Sequence, residues 1–365
     1  MPRFLTMEQM ARELRLSRMT VSSVVSGRTR ERGISDATAA RVRAHLARRG
    51  YVPSRSALDL RSGVRDARGL LYGGRLYSHL IEAFNELVER SNQSRRRLET
   101  VIVNDGGASG GFRELIGRGV SQVIWLHRRS PEQEFEDPGA ILAHLDHVQT
   151  VIYNYRFDDP RWNGILEKRG VCRVGVNRQE GFRRLGALLR SLGHATVAVP
   201  HPEAEANLTR APQGLAAAGL AVRLVHSEGL AWEPSPAYAA ALAERIIRAM
   251  REEAVTACAF LDDELAGFAM LELVSRGVRI PADLTVTGFD GMPFAAFAPV
   301  PLTTLAVPVA RMVECVERML KKDPSRRTRC FPLELVERLS HGPPPRRIGG
   351  RKARRGQGPG PEAGR

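Results

Sequence analysis

Between residues 64 and 340 the chain alternates short apolar runs with longer segments whose apolar residues recur every three or four positions. The short runs predict strands near 69–72, 100–103, 122–126, 150–153, 171–176, 196–199, 221–225, 257–261 and 284–287. Amphipathic helices are predicted between them, among others over 80–90, 181–192, 237–251 and 264–276. Alternation of this kind implies an α/β body of mostly parallel sheets covered by helices.

The first fifty residues follow a different pattern, one of three short helices. Thr6 and Gln9 form a capping box ahead of a face made by Met10 and Leu14. Arg15-Leu16 makes a tight turn, and Ser17 caps a second helix over 18–25, with Val21 and either Val24 or Val25 inward. Gly27 ends that helix, and a polar loop follows over 28–33. Ser35 caps a third helix over 36–49 with Val42 and Leu46 inward, and Gly50 closes it. The set is either a helix-turn-helix, whose second helix enters the DNA major groove, or an unrelated small helical bundle. In the first case the reading residues are Arg18, Met19, Thr20, Ser22 and Ser23, none of which the pattern assigns to the core.

Charge separates the two readings. The chain carries a net +15, of which residues 1–63 hold +8, residues 341–365 hold +6 and the whole body only +1. A basic head on a neutral body implies that the head meets a polyanion, and duplex DNA is the partner that suits a helix-turn-helix.

Other chemistry is weakly represented. No run of 18 apolar residues occurs, so no membrane span is expected. Residues 1–8 turn polar too early for a secretory leader, so the expected compartment is the cytoplasm. Cys172, Cys258, Cys315 and Cys330 are far apart and read as reduced thiols. The histidines lack metal-ligand spacing, no nucleophile elbow is present, and the glycine-rich stretch 106–111 lacks the Lys-Ser/Thr of a phosphate loop. Neither a cofactor nor an enzymatic activity is expected. The Pro-, Gly- and Arg-rich segment 341–365 is expected to be disordered, and serves either as extra DNA attraction or as a solubilising end.

One segment is more specific. Tyr51-Val52-Pro53-Ser54-Arg55-Ser56-Ala57-Leu58-Asp59-Leu60-Arg61-Ser62-Gly63 closely resembles the hinge of the LacI family of repressors. Met10-Ala11, Leu16-Ser17, Thr20-Val21-Ser22, Val24-Val25 and Ile34-Ser35 also fall where that family's pattern places them. The resemblance continues through Gly193-His194, Phe260-Leu261-Asp262-Asp263, Val286-Thr287-Gly288-Phe289-Asp290, Pro301-Leu302-Thr303-Thr304 with Pro308, and the stretch Pro332 to Arg338.

The resemblance implies a homodimeric, ligand-responsive repressor that binds a palindromic operator. Residues 1–50 are the helix-turn-helix domain and 51–63 the hinge helix, in which Leu60, with Ala57 beside it, wedges into the minor groove. Ser17, Ser26, Ser35 and Arg55 join the reading residues at DNA. Residues 64–340 form two Rossmann-like lobes of the periplasmic-binding-protein type, one over about 64–157 and 293–322, the other over about 170–290 and 325–340. Three crossovers join the lobes around a ligand cleft. Implied effector residues are Asn154, Arg210, Asp262, Asp263 and Asp290, with Trp232 stacking on a sugar face. Asp262 and Asp263 precede a helix, so either one could instead cap it.

Several positions depart from the family pattern. Ser23 stands where a base-reading arginine is common, and Ser26 where asparagine is usual. The loop 28–33 is longer and carries Arg28, Arg30 and Arg32, which suit phosphate contacts. After the first strand the family's polar and aromatic cluster gives way to Gly73-Gly74-Arg75, and the family's Asp-Asn pair becomes Asn177-Arg178. The effector-gripping arginine aligns with Ala211, one place from Arg210. The alternatives to a sugar-responsive repressor are the same DNA binder with a degenerate cleft, or a solute-binding protein; the basic head argues against the latter.

Overall fold

The computed structural model describes residues 7–48, 67–73, 79–94, 96–103, 107–127, 138–157, 160–201, 209–225, 235–321 and 327–345. The hinge positions Arg55, Ala57 and Leu60, the cap Thr6 and the aromatic Trp232 lie outside them.

The head contains three helices, α1 (Met7–Leu14), α2 (Arg18–Val25) and α3 (Asp36–Arg48). Ala11, Val21, Val24, Ala39 and Val42 form its core, with Leu14, Leu16, Val25, Ile34 and Leu46 packed around them. Arg15, at φ 54, turns the chain from α1 into α2. The third helix braces that turn: Arg41 Nη2 donates to the Leu14 carbonyl at 3.1 Å, and His45 Nε2 meets Glu13 Oε2 at 2.7 Å.

The body contains two parallel-dominated sheets. The strands are β1 (Ala67–Gly73), β2 (Arg97–Val103), β3 (Gln122–Leu126), β4 (Gln149–Tyr153), β5 (Cys172–Val176), β6 (Thr196–Val199), β7 (Ala221–Leu224), β8 (Ala257–Ala259), β9 (Thr285–Asp290), β10 (Thr303–Ala306), β11 (Thr328–Phe331) and β12 (Glu334–Val336). The first sheet runs β11-β5-β4-β3-β1-β2 and the second β12-β10-β9-β8-β6-β7. β12 runs antiparallel to β10, whereas β1, β3, β4, β5 and β11 run parallel in succession, as do β7, β6, β8, β9 and β10. Near-continuous burial of β1, β3, β4, β5 and β9 fits strands covered on both faces.

The chain changes lobes three times: after β5 into the helix Arg178–Ser191, after β10 into the helix Val309–Leu320, and between β11 and β12. The helix 309–320 docks on the first sheet through its end. Gln122 Nε2 donates to the Leu320 carbonyl and Gln149 Nε2 to the Met319 carbonyl, satisfying groups a helix terminus leaves open.

Sheet membership corrects the lobe boundaries expected from the sequence. β5 lies in the first sheet, β10 in the second and β11 in the first. Each is a short run next to a helix, and such a run does not encode which sheet its backbone will pair with. The ordered body also passes residue 340. His194 Nε2 donates to the Gly342 carbonyl at 2.8 Å, and the Gly342 amide donates to Thr285 Oγ1 at 3.1 Å. Residues 341 and 342 are therefore fixed parts of the second lobe, not the start of a disordered tail. Among the described residues no helix is long and apolar enough to cross a membrane.

Candidate functional site

The candidate DNA-reading element is α2. Ser17 Oγ accepts the Thr20 amide at 3.0 Å and so starts the helix as a side-chain cap. Arg18 and Met19 project from the first turn, Met19 with 64% of its surface exposed. Thr20 is half-buried and its hydroxyl pairs with Ser17 Oγ at 2.8 Å. Ser22 and Ser23 are buried, which corrects the expectation that neither belongs to the interior. A serine hydroxyl sits one bond beyond Cβ, so neighbours flanking the helix withdraw it, whereas Arg18 and Met19 reach past them. Ser26 bonds back to the Ser22 carbonyl at 2.8 Å and ends the helix. Ser35 is exposed and caps α3, accepting the Thr38 amide at 3.3 Å. Arg28, Arg30 and Arg32 are exposed in the loop between α2 and α3.

The candidate ligand cleft lies between the two sheets of the body, at strand ends. Asn154, Arg210 and Asp290 have φ values of 64, 58 and 107. A non-glycine residue in this region costs on the order of 1–3 kcal/mol, and such strain collects at functional sites. Asp290 closes β9, and its Oδ1 accepts a hydrogen bond from His79 Nδ1 at 2.6 Å. His79 begins the helix His79–Gln93 of the first lobe, so this buried pair spans the cleft. Asn154 follows β4 and makes a second bridge. Its Nδ2 donates to the His127 carbonyl at 2.9 Å, and its Oδ1 accepts from Arg178 Nη2 at the start of the helix 178–191.

The neighbouring aspartates differ in role. Asp263 is fully buried, with Oδ2 accepting the Met292 amide and Oδ1 accepting the Thr304 hydroxyl, each at 2.7 Å. It ties β9, β10 and the helix Asp263–Ser275 together and presents no atom to the cleft, which corrects its assignment as an effector ligand. Gly288 is required beside it, because a Cβ there would come within 2.1 Å of Asp263 Oδ1. Asp262 caps the same helix, its Oδ1 accepting the Leu265 amide at 2.6 Å. Its Oδ2 is buried without a hydrogen-bond partner. Burial pushes the Asp262 carboxyl up to about 8. Burial, reinforced by Asp290, pushes Asp263 up to about 7. His201 lies 3.9 Å from Asp262, but its Nε2 accepts the Leu261 amide at 2.9 Å. Burial holds His201 down at about 3, so it is neutral and the approach is not an ion pair.

Beside the Asn154–Arg178 bridge lies a cavity of about 230 Å³. Arg156, Phe157, Val176 and Cys330 line it from the first lobe, and Arg178, Gln179, Thr209 and Arg210 from the second. Sequence reasoning placed Asn154, Arg210 and Asp290 at the cleft but missed His79 and Arg156. It met Arg178 only as a departure from a pattern. No local signal marks His79, whose partner is 211 positions away.

Residues 178–341 match the model of a periplasmic binding protein-like domain. The chain is 28% identical over 332 residues to the HTH-type transcriptional regulator CelR of Thermobifida fusca, covering 86% of this chain and 90% of that protein. In fold it is similar to a lac repressor dimer bound to operator and the anti-inducer ONPF. That match has a TM-score of 0.72 and 18% identity, and it covers 93% of this chain and all of that one. It is also similar in fold to a complex of the regulator CelR with cellobiose, with a TM-score of 0.59 and 20% identity, over 92% of this chain and 99% of that one.

Proposed function

We propose, for a chain that belongs to the LacI family of helix-turn-helix transcription regulators, that it binds a roughly palindromic operator as a homodimer and represses transcription until a small hydroxylated effector enters the cleft. The observation that carries this reading is the capped helix α2, which offers Arg18 and Met19 outward from a separately packed basic head. Arg18 suits base-edge contact, Arg28, Arg30 and Arg32 suit phosphate contact, and Leu60 is the minor-groove wedge. The protein acts in the cytoplasm and is not an enzyme.

The effector acts through lobe closure. The His79–Asp290 and Asn154–Arg178 bridges cross the cleft, so a ligand that replaces or reinforces them changes the balance between closed and open lobes. In a dimer that change alters the spacing of the two hinge segments, and only one spacing suits paired wedging. Binding of genomic fragments by the full-length protein, followed by footprinting, tests the reading. A protected site with two-fold symmetry is expected; fragments recovered without a shared motif would refute it.

A further inference from the structure

Near the starts of β1, β3 and β4 the first sheet carries three polar residues side by side. Arg68 pairs in register with Gln122, and Gln122 with Gln149. Their side chains form a ladder. Arg68 Nε donates to Gln122 Oε1 at 3.2 Å, and Gln122 Nε2 donates to Gln149 Oε1 at 2.8 Å. Arg68 Nη1 donates to Glu317 Oε1 of the helix 309–320 at 2.5 Å. The Gln122 and Gln149 amides also hold the Leu320 and Met319 carbonyls at the end of that helix. Four side chains therefore fasten one helix end to the starts of three strands.

Stability alone does not account for this ladder. Arg68 is 2% exposed, and its Nη2 is buried with no hydrogen-bond partner among the described residues. A buried ion pair is often no more stabilising than apolar side chains of the same volume, but it holds one geometry.

The place of the ladder gives that geometry a use. β1 begins at Ala67, closely following the segment 51–63 read as the hinge. The helix 309–320 enters the first lobe from β10, and the chain just before it lies at the cleft. There the Val307 amide donates to the carbonyl of Asp290, whose carboxylate holds His79. Twelve residues of helix span about 18 Å, and internal hydrogen bonding makes them a stiff rod. One end of the rod therefore sits by the interlobe latch and the other on the strand that follows the hinge.

We propose that the Arg68–Gln122–Gln149 ladder carries lobe position to the hinge, with Arg68 as the positioning residue; this rests on the regulator reading above and assigns the route of its control. A shift of Asp290 relative to the first lobe displaces the start of the helix 309–320. The ladder passes that displacement to the start of β1, and the chain passes it on to the hinge. A pair of bistable contacts joined by a stiff element is the physical requirement for such coupling, and a double-mutant cycle measures it.

Fluorescence anisotropy of the full-length protein with a selected operator tests this. The response to His79→Leu, which breaks the latch, is measured in the native chain, in Arg68→Met/Glu317→Leu and in Gln122→Met. The first background removes the ion pair whole, and the second breaks the middle rung and leaves the ion pair in place, so either one carries the test if the other fails to fold. Arg318→Met, on the exposed side of the same helix, is the control. In the native chain and the control, His79→Leu is expected to shift operator affinity by about fivefold or more. In a folded ladder variant the shift is expected to fall below about twofold, the limit of additivity for independent sites. A ladder with a structural role only would lower the melting temperature and leave the response to His79→Leu at its native size, and that result would overturn the proposal. No response to His79→Leu in the native chain would overturn it as well, because no lobe signal would then reach the operator. A native chain that does not prefer operator over a scrambled duplex fails earlier, and removes the regulator reading itself.

Discussion

His79 Nδ1 and Asp290 Oδ1 meet at 2.6 Å across the cleft, one from a helix start in the first lobe and the other from a strand end in the second. Both side chains are buried, so the bond is shielded from water and links the lobes directly. His79→Leu strands the Asp290 carboxylate, and breaking a buried pair this way costs on the order of 3 kcal/mol. A lowered melting temperature and a larger radius of gyration in solution scattering are expected. The double variant His79→Leu/Asp290→Leu should recover part of the stability. An unchanged melting temperature in the single variant would contradict the latch.

Asp262 gives stability a pH dependence of unusual sign. Burial pushes its folded carboxyl up to about 8, against about 3.8 for a solvated aspartate, so the folded state binds the proton more tightly. The contribution is complete below about pH 4 and falls away as pH rises through 8. Asp262→Asn keeps an oxygen for the Leu265 amide and removes the titration. Denaturant unfolding at pH 5 and pH 8 should show a smaller difference for the variant than for the native chain. Equal differences would contradict this account.

Gly288→Ala tests the Asp263 network. The added methyl would fall 2.1 Å from Asp263 Oδ1 and 2.8 Å from Leu302 Cδ2, so the carboxylate must leave its partners or the strand must shift. Overpacking of this kind costs about 1–3 kcal/mol. Thermal unfolding should register it, whereas Gly110→Ala, with nothing within 4 Å of its added methyl, should have a much smaller effect.

Arg18→Ala separates reading from folding. Arg18 is exposed, so stability should stay within about 0.5 kcal/mol. Loss of a base contact there should weaken operator binding by about 1–3 kcal/mol, roughly 5- to 150-fold. Fluorescence anisotropy with operator and scrambled duplexes checks this, and an equal loss on both would make Arg18 a phosphate contact.

Much of this architecture was legible in the sequence, because periodicity reports burial. The helices of the head appeared from Ser17, Ser35 and the apolar spacing, and every expected strand of the body is present. β10, β11 and β12 escaped notice. They span three or four residues each, and most of β11 is exposed, so no alternation marks it. Lobe membership escaped as well, because it depends on long-range pairing such as Thr328 with Arg173. In the cleft, resemblance located Asn154 and Asp290 but not their partners. A bond such as His79 to Asp290 is made by topology, which single-residue patterns do not contain.

The most direct test of the central claim is the affinity of the full-length chain for a selected operator, against a scrambled duplex of equal length, as salt is varied. A preference of about a thousandfold or more at physiological salt is expected, with affinity for both duplexes falling steeply as salt rises. Leu60→Ala should shrink the preference. Equal affinity for the two duplexes, or binding that does not respond to salt, would contradict a sequence-specific DNA reader.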